Sequence, residues 1–258
     1  MLPDPLPAAS ARDVRNGYIF GFITVSLWAG FVLLSRTAEA NGLNGFDLTA
    51  LRFGTAALFL LPAWLFWHRV ALFNLPMLAL AATGGIGYAV CVYSAFHFAP
   101  ASHGAVLLSG ILPFFVTLMA WLILGERPSQ HRWMALGVIG LGVLCLGVYS
   151  IGNLHQSWPG DLLLISSSCL WGLYTVLVKR WGKTPWDITI GVALLSAIIY
   201  LPFYWLFLPK GLFTAPWHAI LLQAFFQGVL VVIVAMLCFM QAMARLGPTR
   251  LGAVMATV

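Results

Sequence analysis

The 258-residue sequence has few charged side chains and especially few acidic ones. Only 8% of its residues are charged, with seven Asp and Glu against thirteen Lys and Arg. Soluble domains average about 25% charged residues, and exposed apolar surface in water costs roughly 25 cal/mol per Å². Because hydrophobic residues make up 61% of the chain, lipid is the predicted solvent for most of its surface.

Motifs of several functional classes are also missing. The sequence has no CxxC and no HExxH, all four cysteines fall in apolar runs, and no His or Cys spacing suits zinc. Neither a metal site nor a cofactor is therefore predicted. The basic residues are scattered singly and form no stripe, which argues against nucleic acid as a partner.

Apolar runs close to the length of about 20 residues that crosses a bilayer recur along the chain. Eight complete runs and the start of a ninth are Tyr18–Ser35, Leu48–Trp67, Met77–Phe98, Ala101–Leu124, Trp133–Tyr149, Leu162–Val178, Ile188–Leu208, Ala219–Ala244 and a run beginning near Leu251. A polar loop, Asn153–Asp161, separates the fifth run from the sixth. The first run is longer than the core of a signal peptide, about 7 to 15 residues, so it predicts a membrane helix.

The basic residues predict the orientation of these helices. With the N terminus inside, only three of the thirteen Lys and Arg fall outside, namely Arg36, Arg52 and Lys210. The other ten fall on the cytoplasmic side: Arg12, Arg15, Arg69, Arg127, Arg132, Lys179, Arg180, Lys183, Arg245 and Arg250. Short cytoplasmic loops are enriched in Lys and Arg. The chain is therefore predicted to be a multi-pass protein of a bacterial-type inner membrane with a cytoplasmic N terminus.

The two halves of the chain resemble each other at an offset of 140 to 148 residues. Three matches define this repeat: Ser26-Leu27-Trp28-Ala29 with Cys169-Leu170-Trp171-Gly172, Asp47-Leu48-Thr49 and Pro62 with Asp187-Ile188-Thr189 and Pro202, and Pro100 and Gly104-Ala105-Val106 with Pro248 and Gly252-Ala253-Val254. Five helices in each half, an odd number, would make the second copy enter the membrane from the opposite face.

The predicted fold is thus all-α and integral to the membrane, with two inverted five-helix repeats around a central cavity. Of ten transmembrane helices, about eight and a half are present. The predicted units are a cytoplasmic tail (1–16), a first repeat with helices one to five (17–150) and a second, truncated repeat with helices six to nine (151–258). Matching the first repeat would take about 40 further residues.

Four motifs carry a family resemblance that covers the whole chain. They are Trp28 followed by small residues, Leu51-Arg52-Phe53 early in helix two, Pro113 in helix four, and Leu124-Gly125-Glu126-Arg127 before a Gly-rich fifth helix. In these features the chain resembles the EamA branch of the drug/metabolite transporter superfamily. The resemblance implies ten helices around a central cavity and export of small metabolites, with neutral or aromatic amino acids as first candidates. The implied partners are a small-molecule substrate and the lipid bilayer, while the oligomeric state stays open.

Two tryptophans are candidates for the substrate site. Most tryptophans here lie where a helix meets the membrane surface, as is usual for this residue. Trp28 and Trp171 instead lie at mid-helix and occupy equivalent places in the two repeats. They are predicted to form aromatic walls of a midplane cavity, where a ring offers apolar contact and an N–H donor. The alternative interpretation is that they only fill space between helices.

Polar or aromatic residues at helical spacing provide further candidates for binding the substrate: Tyr88 and Ser94 in helix three, Tyr174 in helix six, and Gln227 and Gln241 in helix eight. The same stripes also suit plain helix packing. Three prolines inside predicted helices are hinge candidates, Pro62, Pro113 and Pro202, because a proline removes a backbone hydrogen bond. Static bends are the alternative.

The distribution of charge suggests the kind of substrate. All seven acids fall in a tail, a loop or a helix end, and Arg52, one turn into helix two, is expected to extend to the interface. A cavity without fixed charge would suit neutral or zwitterionic solutes moving down their gradient, with little dependence on protons.

Two other functions compete with transport. An intramembrane enzyme finds weak support, because Ser109 and His103 are six residues apart whereas residues on one helix face are three or four apart. A channel, or a membrane subunit that transports nothing, is the other alternative. A channel should show rings of charge or loops that expose carbonyl groups, and neither is visible in the sequence.

Overall fold

The computed structural model of the protein describes residues 11–150 and 154–255. These residues are almost entirely helical and contain no strand, which confirms the all-α prediction for this part of the chain. The first ten residues of the predicted tail, residues 151–153 at the predicted start of the second repeat, and residues 256–258 lie outside the described part.

Eight helices follow one another in the described ranges. They are α1 (Ala11–Ala40), α2 (Gly45–Phe66), α3 (Leu75–Phe98), α4 (Ala101–His103, Gly104–Gly110 and Leu112–Leu124), α5 (Gln130–Ser150), α6 (Leu154–Trp181), α7 (Pro185–Phe207) and α8 (Trp217–Gln223, Ala224–Ala235 and Met236–Met255). Wider π-helical turns occur in α3, α4 and α8, at Ala81–Gly87, Gly104–Gly110 and Ala224–Ala235.

Seven of these helices are long and apolar enough to cross a membrane. The spans are Ala11–Ala40, Gly45–Phe66, Leu75–Phe98, Val106–Leu124, Ser157–Trp181, Pro185–Phe207 and Trp217–Leu246. Large apolar side chains cover their outer surface, and Leu58, Phe66 and Phe207 are each at least 70% exposed. Such a surface is stable in lipid and costly in water. The protein is therefore a multi-span membrane protein.

Helices α2 and α7 begin with the same local device. The side chain of Asn44 accepts hydrogen bonds from the backbone N–H groups of Phe46 and Asp47, and the side chain of Thr184 accepts one from the N–H of Asp187. Each aspartate in turn accepts from the backbone N–H of its capping residue. These capping boxes satisfy N–H groups that a helix start leaves free, which is why both helices begin where they do.

The same two aspartates also join α2 and α7 to each other. Asp47 accepts a 2.5 Å hydrogen bond from the hydroxyl of Tyr204, near the end of α7. Asp187, at the start of α7, lies 2.8 Å from Nε2 of His68, which follows the end of α2. Since each helix start is held to the other helix's end, α2 and α7 lie antiparallel.

The prediction of a polar loop at Asn153–Asp161 is wrong for residues 154–161, because α6 already begins at Leu154. Two hydrogen bonds explain why this polar segment is helical. Asp161 accepts from the hydroxyl of Ser157, one turn earlier, at 3.2 Å, and lies 2.6 Å from Nδ1 of His103 on α4. Polar residues whose partners lie on a neighbouring helix do not need a solvent-exposed loop.

The boundary predicted before a ninth helix at Leu251 is also absent, since Met236–Met255 is one helical segment. This segment packs along α1, where glycines allow a close approach. A Cβ added at Gly17 would lie 2.7 Å from Cγ of Leu246, and one at Gly21 would lie 3.2 Å from Cγ1 of Val254. The helix thus continues across the predicted break, and its residues on both sides of the break pack against α1.

Candidate functional site

Five aromatic side chains meet in the middle of the helix bundle and are called the aromatic cluster here: Trp28 on α1, Tyr88 on α3, Trp171 and Tyr174 on α6, and Phe239 on α8. Trp171 is at its centre. Its ring centroid lies 5.8 Å from that of Trp28 in an edge-to-face arrangement, 4.8 Å from that of Tyr88 and 5.0 Å from that of Tyr174. The ring centroid of Phe239 lies 5.3 Å from that of Trp28.

The two repeat-related tryptophans are therefore brought into direct contact. Trp171 is 7% exposed and Trp28 is half-buried, whereas seven other tryptophans are at least 45% exposed. These exposed residues are Trp67, Trp121, Trp133, Trp158, Trp186, Trp205 and Trp217. Their outward position fits the usual preference of tryptophan for the membrane surface and separates the central pair from the rest.

A cavity of about 60 Å³ lies beside the aromatic cluster and is called the larger cavity. Ten residues from α1, α2, α3, α4, α6 and α8 line it: Trp28, Phe31, Val32, Arg52, Tyr88, Leu108, Ser109, Leu112, Trp171 and Val231. Small-molecule sites usually enclose about 300 Å³ or more. In this conformation the cavity holds a few water molecules at most, so a metabolite enters only if the aromatic rings or their helices move.

A smaller cavity of about 20 Å³ adjoins Arg52 on α2. It is lined by Arg52, Phe53, Gly84, Tyr174, Ile188, Thr189, Val192, Ala193, Val232 and Met236. Gly84 allows Tyr174 to sit against α3, because a Cβ there would lie 2.3 Å from the tyrosine ring. Arg52 lines both cavities, so it lies between the larger cavity and the smaller one.

Arg52 does not reach the membrane interface as expected. Only 5% of its surface is exposed, and its guanidinium carbon lies 5.8 Å and 6.0 Å from the ring centroids of Phe31 and Phe53. Within its first turns α2 packs against neighbouring helices, so the side chain is directed into the bundle. The prediction of a cavity without fixed charge is therefore wrong, since an arginine lines both cavities.

A chain of hydrogen bonds to neutral side chains holds Arg52 in place. Its Nη1 donates to the hydroxyl oxygen of Tyr93 at 3.2 Å, and the Tyr93 hydroxyl donates to Oε1 of Gln227 at 2.9 Å. Gln227 is fully buried and donates to the side-chain oxygens of Ser35 and Gln223, each at 3.2 Å. The chain links α1, α2, α3 and α8. It fixes the arginine without neutralising it.

The other predicted binding residues occupy different places. Gln227 lies behind Arg52 in this hydrogen-bond chain and does not line either cavity. Ser94 is half-buried on α3 and lines neither cavity, and Gln241 bonds to Arg245 one turn further along α8. Of the seven candidates, the structure thus gathers Trp28, Tyr88, Trp171 and Tyr174.

The three proline candidates differ in setting. Pro62 and Pro202 lie inside α2 and α7 with exposed rings, on the outside of the bundle. Pro113 follows the bend at Ile111 that interrupts α4, so it lies in the first turn of Leu112–Leu124, where its missing N–H costs nothing. Its carbonyl accepts a hydrogen bond from Thr117.

Among the acids, Asp161 differs from the sequence-based expectation because it lies within the span Ser157–Trp181 and is not in a loop. Its side chain is 13% exposed and that of His103 is 9% exposed. The pair joins α4 to α6. In the described residues no three His, Cys, Asp or Glu side chains lie close enough together to hold a metal ion.

Sequence reasoning missed Arg52 as part of the site, together with Phe31, Ser109 and Phe239. One signal was available for Arg52: a charged residue inside an apolar span is itself a marker of function, because its burial is costly. The apolar residues gave no such signal, since Phe31 and Phe239 do not differ in pattern from the surrounding lipid-facing residues.

Comparisons with known proteins connect this chain to a family. Residues 15–148 and 158–258 match the EamA-like transporter family. The aromatic amino acid exporter YddG of Ancylobacter novellus is 27% identical over 200 residues, which cover 74% of this chain and 68% of that protein.

Two uncharacterized transporters of Bacillus subtilis are also similar. YyaM is 26% identical over 70% of this chain and 64% of its own length, and YwfM is 25% identical over 74% and 71%. A solved crystal structure that is 23% identical superposes with a TM-score of 0.62 and covers 93% of this chain and 83% of the other. That likeness shows a shared fold.

Proposed function

Because the chain belongs to the EamA-like transporter family, we propose that it is a secondary transporter that exports small metabolites, most of all neutral or aromatic amino acids. The family is one of transporters and not of enzymes. One relative is named an aromatic amino acid exporter, which supports the substrate class proposed here.

One observation carries the proposal: two repeat-related tryptophans meet at the wall of a central cavity. Trp28 and Trp171 contact each other and line the larger cavity together with Tyr88. Aromatic rings stack favourably on the flat side chain of an aromatic substrate. A site built from both halves of the chain is also suited to transport, since movement of the halves against each other exposes it to one face and then to the other.

An arrangement of two inverted five-helix repeats is part of the proposal. Two observations support it. The family matches two consecutive segments, 15–148 and 158–258. The repeat-equivalent Asp47 and Asp187 also take part in the same capping box, and their contacts to Tyr204 and His68 join α2 and α7 in an antiparallel pair. Pro62 and Pro202 occupy equivalent places in those helices and are proposed as hinges.

Transport into and out of proteoliposomes tests the function. Vesicles with the full-length protein are preloaded with unlabelled L-phenylalanine, and entry of radiolabelled L-phenylalanine by exchange is measured. We expect exchange well above that of protein-free vesicles. An imposed pH difference alone should not drive accumulation, because no acid among the described residues lines either cavity. Absence of exchange for the whole set of neutral amino acids would contradict the proposal.

The proposed orientation places the N terminus in the cytoplasm, as the ten-to-three distribution of Lys and Arg indicates. Single cysteines replacing His97 and Ser129 in a variant without the four native cysteines provide the test. An impermeant thiol reagent added to sealed cells should label the variant His97→Cys and leave Ser129→Cys unlabelled. The opposite pattern would reverse the orientation.

A further inference from the structure

We propose that Arg52 and Tyr174 form the site for the substrate's carboxylate, while the larger cavity holds its apolar side chain. This inference rests on the proposed function and specifies its ligand as a small carboxylic acid with an aromatic or large apolar group. Both residues line the smaller cavity, and Arg52 alone extends to the larger one.

No acidic side chain among the described residues pairs with the positive charge of Arg52. Its only side-chain hydrogen bond among the described residues is the one that Nη1 donates to the neutral Tyr93 hydroxyl, and no Asp or Glu of that part forms an ion pair with it. Nε is buried and has no hydrogen-bond partner. A guanidinium has five N–H donors, so most of its capacity is unused.

A second donor without a partner lies at the same cavity. The Tyr174 hydroxyl is buried and has no hydrogen-bond partner in the part of the chain that the structure describes. Apart from these two residues and Thr189, the smaller cavity is lined by apolar residues and Gly84. The hydroxyl of Thr189 is engaged, because it donates to the carbonyl of Pro185. Two residues that line this cavity thus each carry a buried donor without a partner among the described residues, and none of the lining residues offers an anionic acceptor.

An unpaired buried donor is costly, and an unpaired buried charge is more so. A ligand that supplies the missing acceptor to the donors of Arg52 and Tyr174 therefore binds favourably. A carboxylate has two acceptor oxygens and matches the guanidinium fork in shape. The Tyr93 hydroxyl is neutral, so its hydrogen bond with Arg52 supplies no counter-charge.

The adjoining aromatic space narrows the class of carboxylate. Beyond Arg52 the larger cavity is walled by Trp28, Phe31, Tyr88 and Trp171, with Ser109 as its only other polar side chain. A highly polar acid such as a dicarboxylate would leave its second charge against aromatic faces. A monocarboxylate that carries one aromatic or large apolar group satisfies both parts of the site.

Thermal unfolding with matched ligands tests this inference separately from transport. The purified full-length protein is titrated with 3-phenylpropionate and with 3-phenylpropanamide, its uncharged analogue of the same shape. We expect the acid to raise the unfolding temperature at concentrations about 10- to 100-fold lower than the amide, the range set by hydrogen bonds to a charged group. Equal effects of acid and amide, or no effect of the acid, would overturn the proposal.

Variants of Arg52 and Tyr174 show which side chains cause the preference for the acid over the amide. Arg52→Gln should abolish the preference for the acid. Tyr174→Phe should reduce it about tenfold or less, because the hydroxyl bonds more strongly to the charged carboxylate than to the neutral amide. Arg69→Gln is the matched control, because it removes the same charge from an exposed side chain and should keep the preference. If Arg52→Gln does not fold, the comparison of acid and amide on the unaltered protein still decides. Phenylalanine exchange combined with equal binding of acid and amide would refute this inference and leave the proposed function standing.

Discussion

Replacing Asp47 by alanine is expected to lower the free energy of unfolding by about 3 kcal/mol or more, with a fall in unfolding temperature of about 6 to 12 °C. Asp47 is fully buried, and its carboxylate accepts from the Tyr204 hydroxyl, from the backbone N–H of Gly211 and from that of Asn44. Alanine leaves these donors without a partner. Thermal unfolding of the purified protein in detergent, followed by tryptophan fluorescence, measures the change.

Asp187 provides the matched control, since it has the equivalent place in the repeat and caps its helix in the same way. Its side chain is 23% exposed and its interhelical partner, His68, is 43% exposed. Asp187→Ala should therefore cost only about 1 kcal/mol, the usual value of a lost helix cap. Equal losses for the two variants would show that the buried contacts of Asp47 to α7 and Gly211 contribute little.

Truncating either central tryptophan is expected to slow transport. Trp171 contacts three aromatic rings and Trp28 contacts two, and both line the larger cavity. An aromatic pair contributes about 0.5 to 1.5 kcal/mol beyond its buried area, which corresponds to a reduction of about 2- to 10-fold for each variant. The rate of phenylalanine exchange at low substrate concentration measures the effect for Trp28→Ala and Trp171→Ala.

Two further variants distinguish a role in binding from a general loss of folded protein. Trp121→Ala alters a side chain that is 49% exposed on the outer surface, and it should leave the exchange rate unchanged. Trp171→Phe keeps a ring at the centre of the cluster and should retain most of the rate. A wild-type rate for Trp28→Ala and Trp171→Ala would mean that the tryptophans only fill space.

The membrane helices and the central tryptophans were predictable, because both depend on patterns that act locally or recur in the sequence. The apolar runs reflect the thickness of the bilayer. The equivalence of Trp28 and Trp171 is visible as repeated sequence, and in the structure these residues touch. Tyr88 was selected from helical spacing and also lines the larger cavity.

The role of Arg52 was not predictable in the same way, because its direction depends on contacts from distant parts of the chain. Tyr93 lies 41 residues after Arg52, and Gln227 lies a further 134 residues after Tyr93; the hydrogen bonds between them draw the arginine into the bundle. Likewise, Asp161 appeared to lie in a loop, since its helical state depends on His103, 58 residues earlier. Local polarity alone does not reveal such partners.

The proposed transport function requires that the substrate occupies the larger cavity, and the rate of cysteine labelling measures this most directly. A cysteine replaces Ser109, which lines that cavity, in a variant without the native cysteines, and its rate of reaction with a small thiol reagent is measured with and without L-phenylalanine. The matched control is Ser94→Cys, a serine that lines neither cavity. If substrate occupies this cavity, L-phenylalanine slows labelling of Ser109→Cys several-fold and leaves that of Ser94→Cys unchanged. Equal labelling of Ser109→Cys with and without L-phenylalanine, at concentrations that saturate exchange, would contradict it.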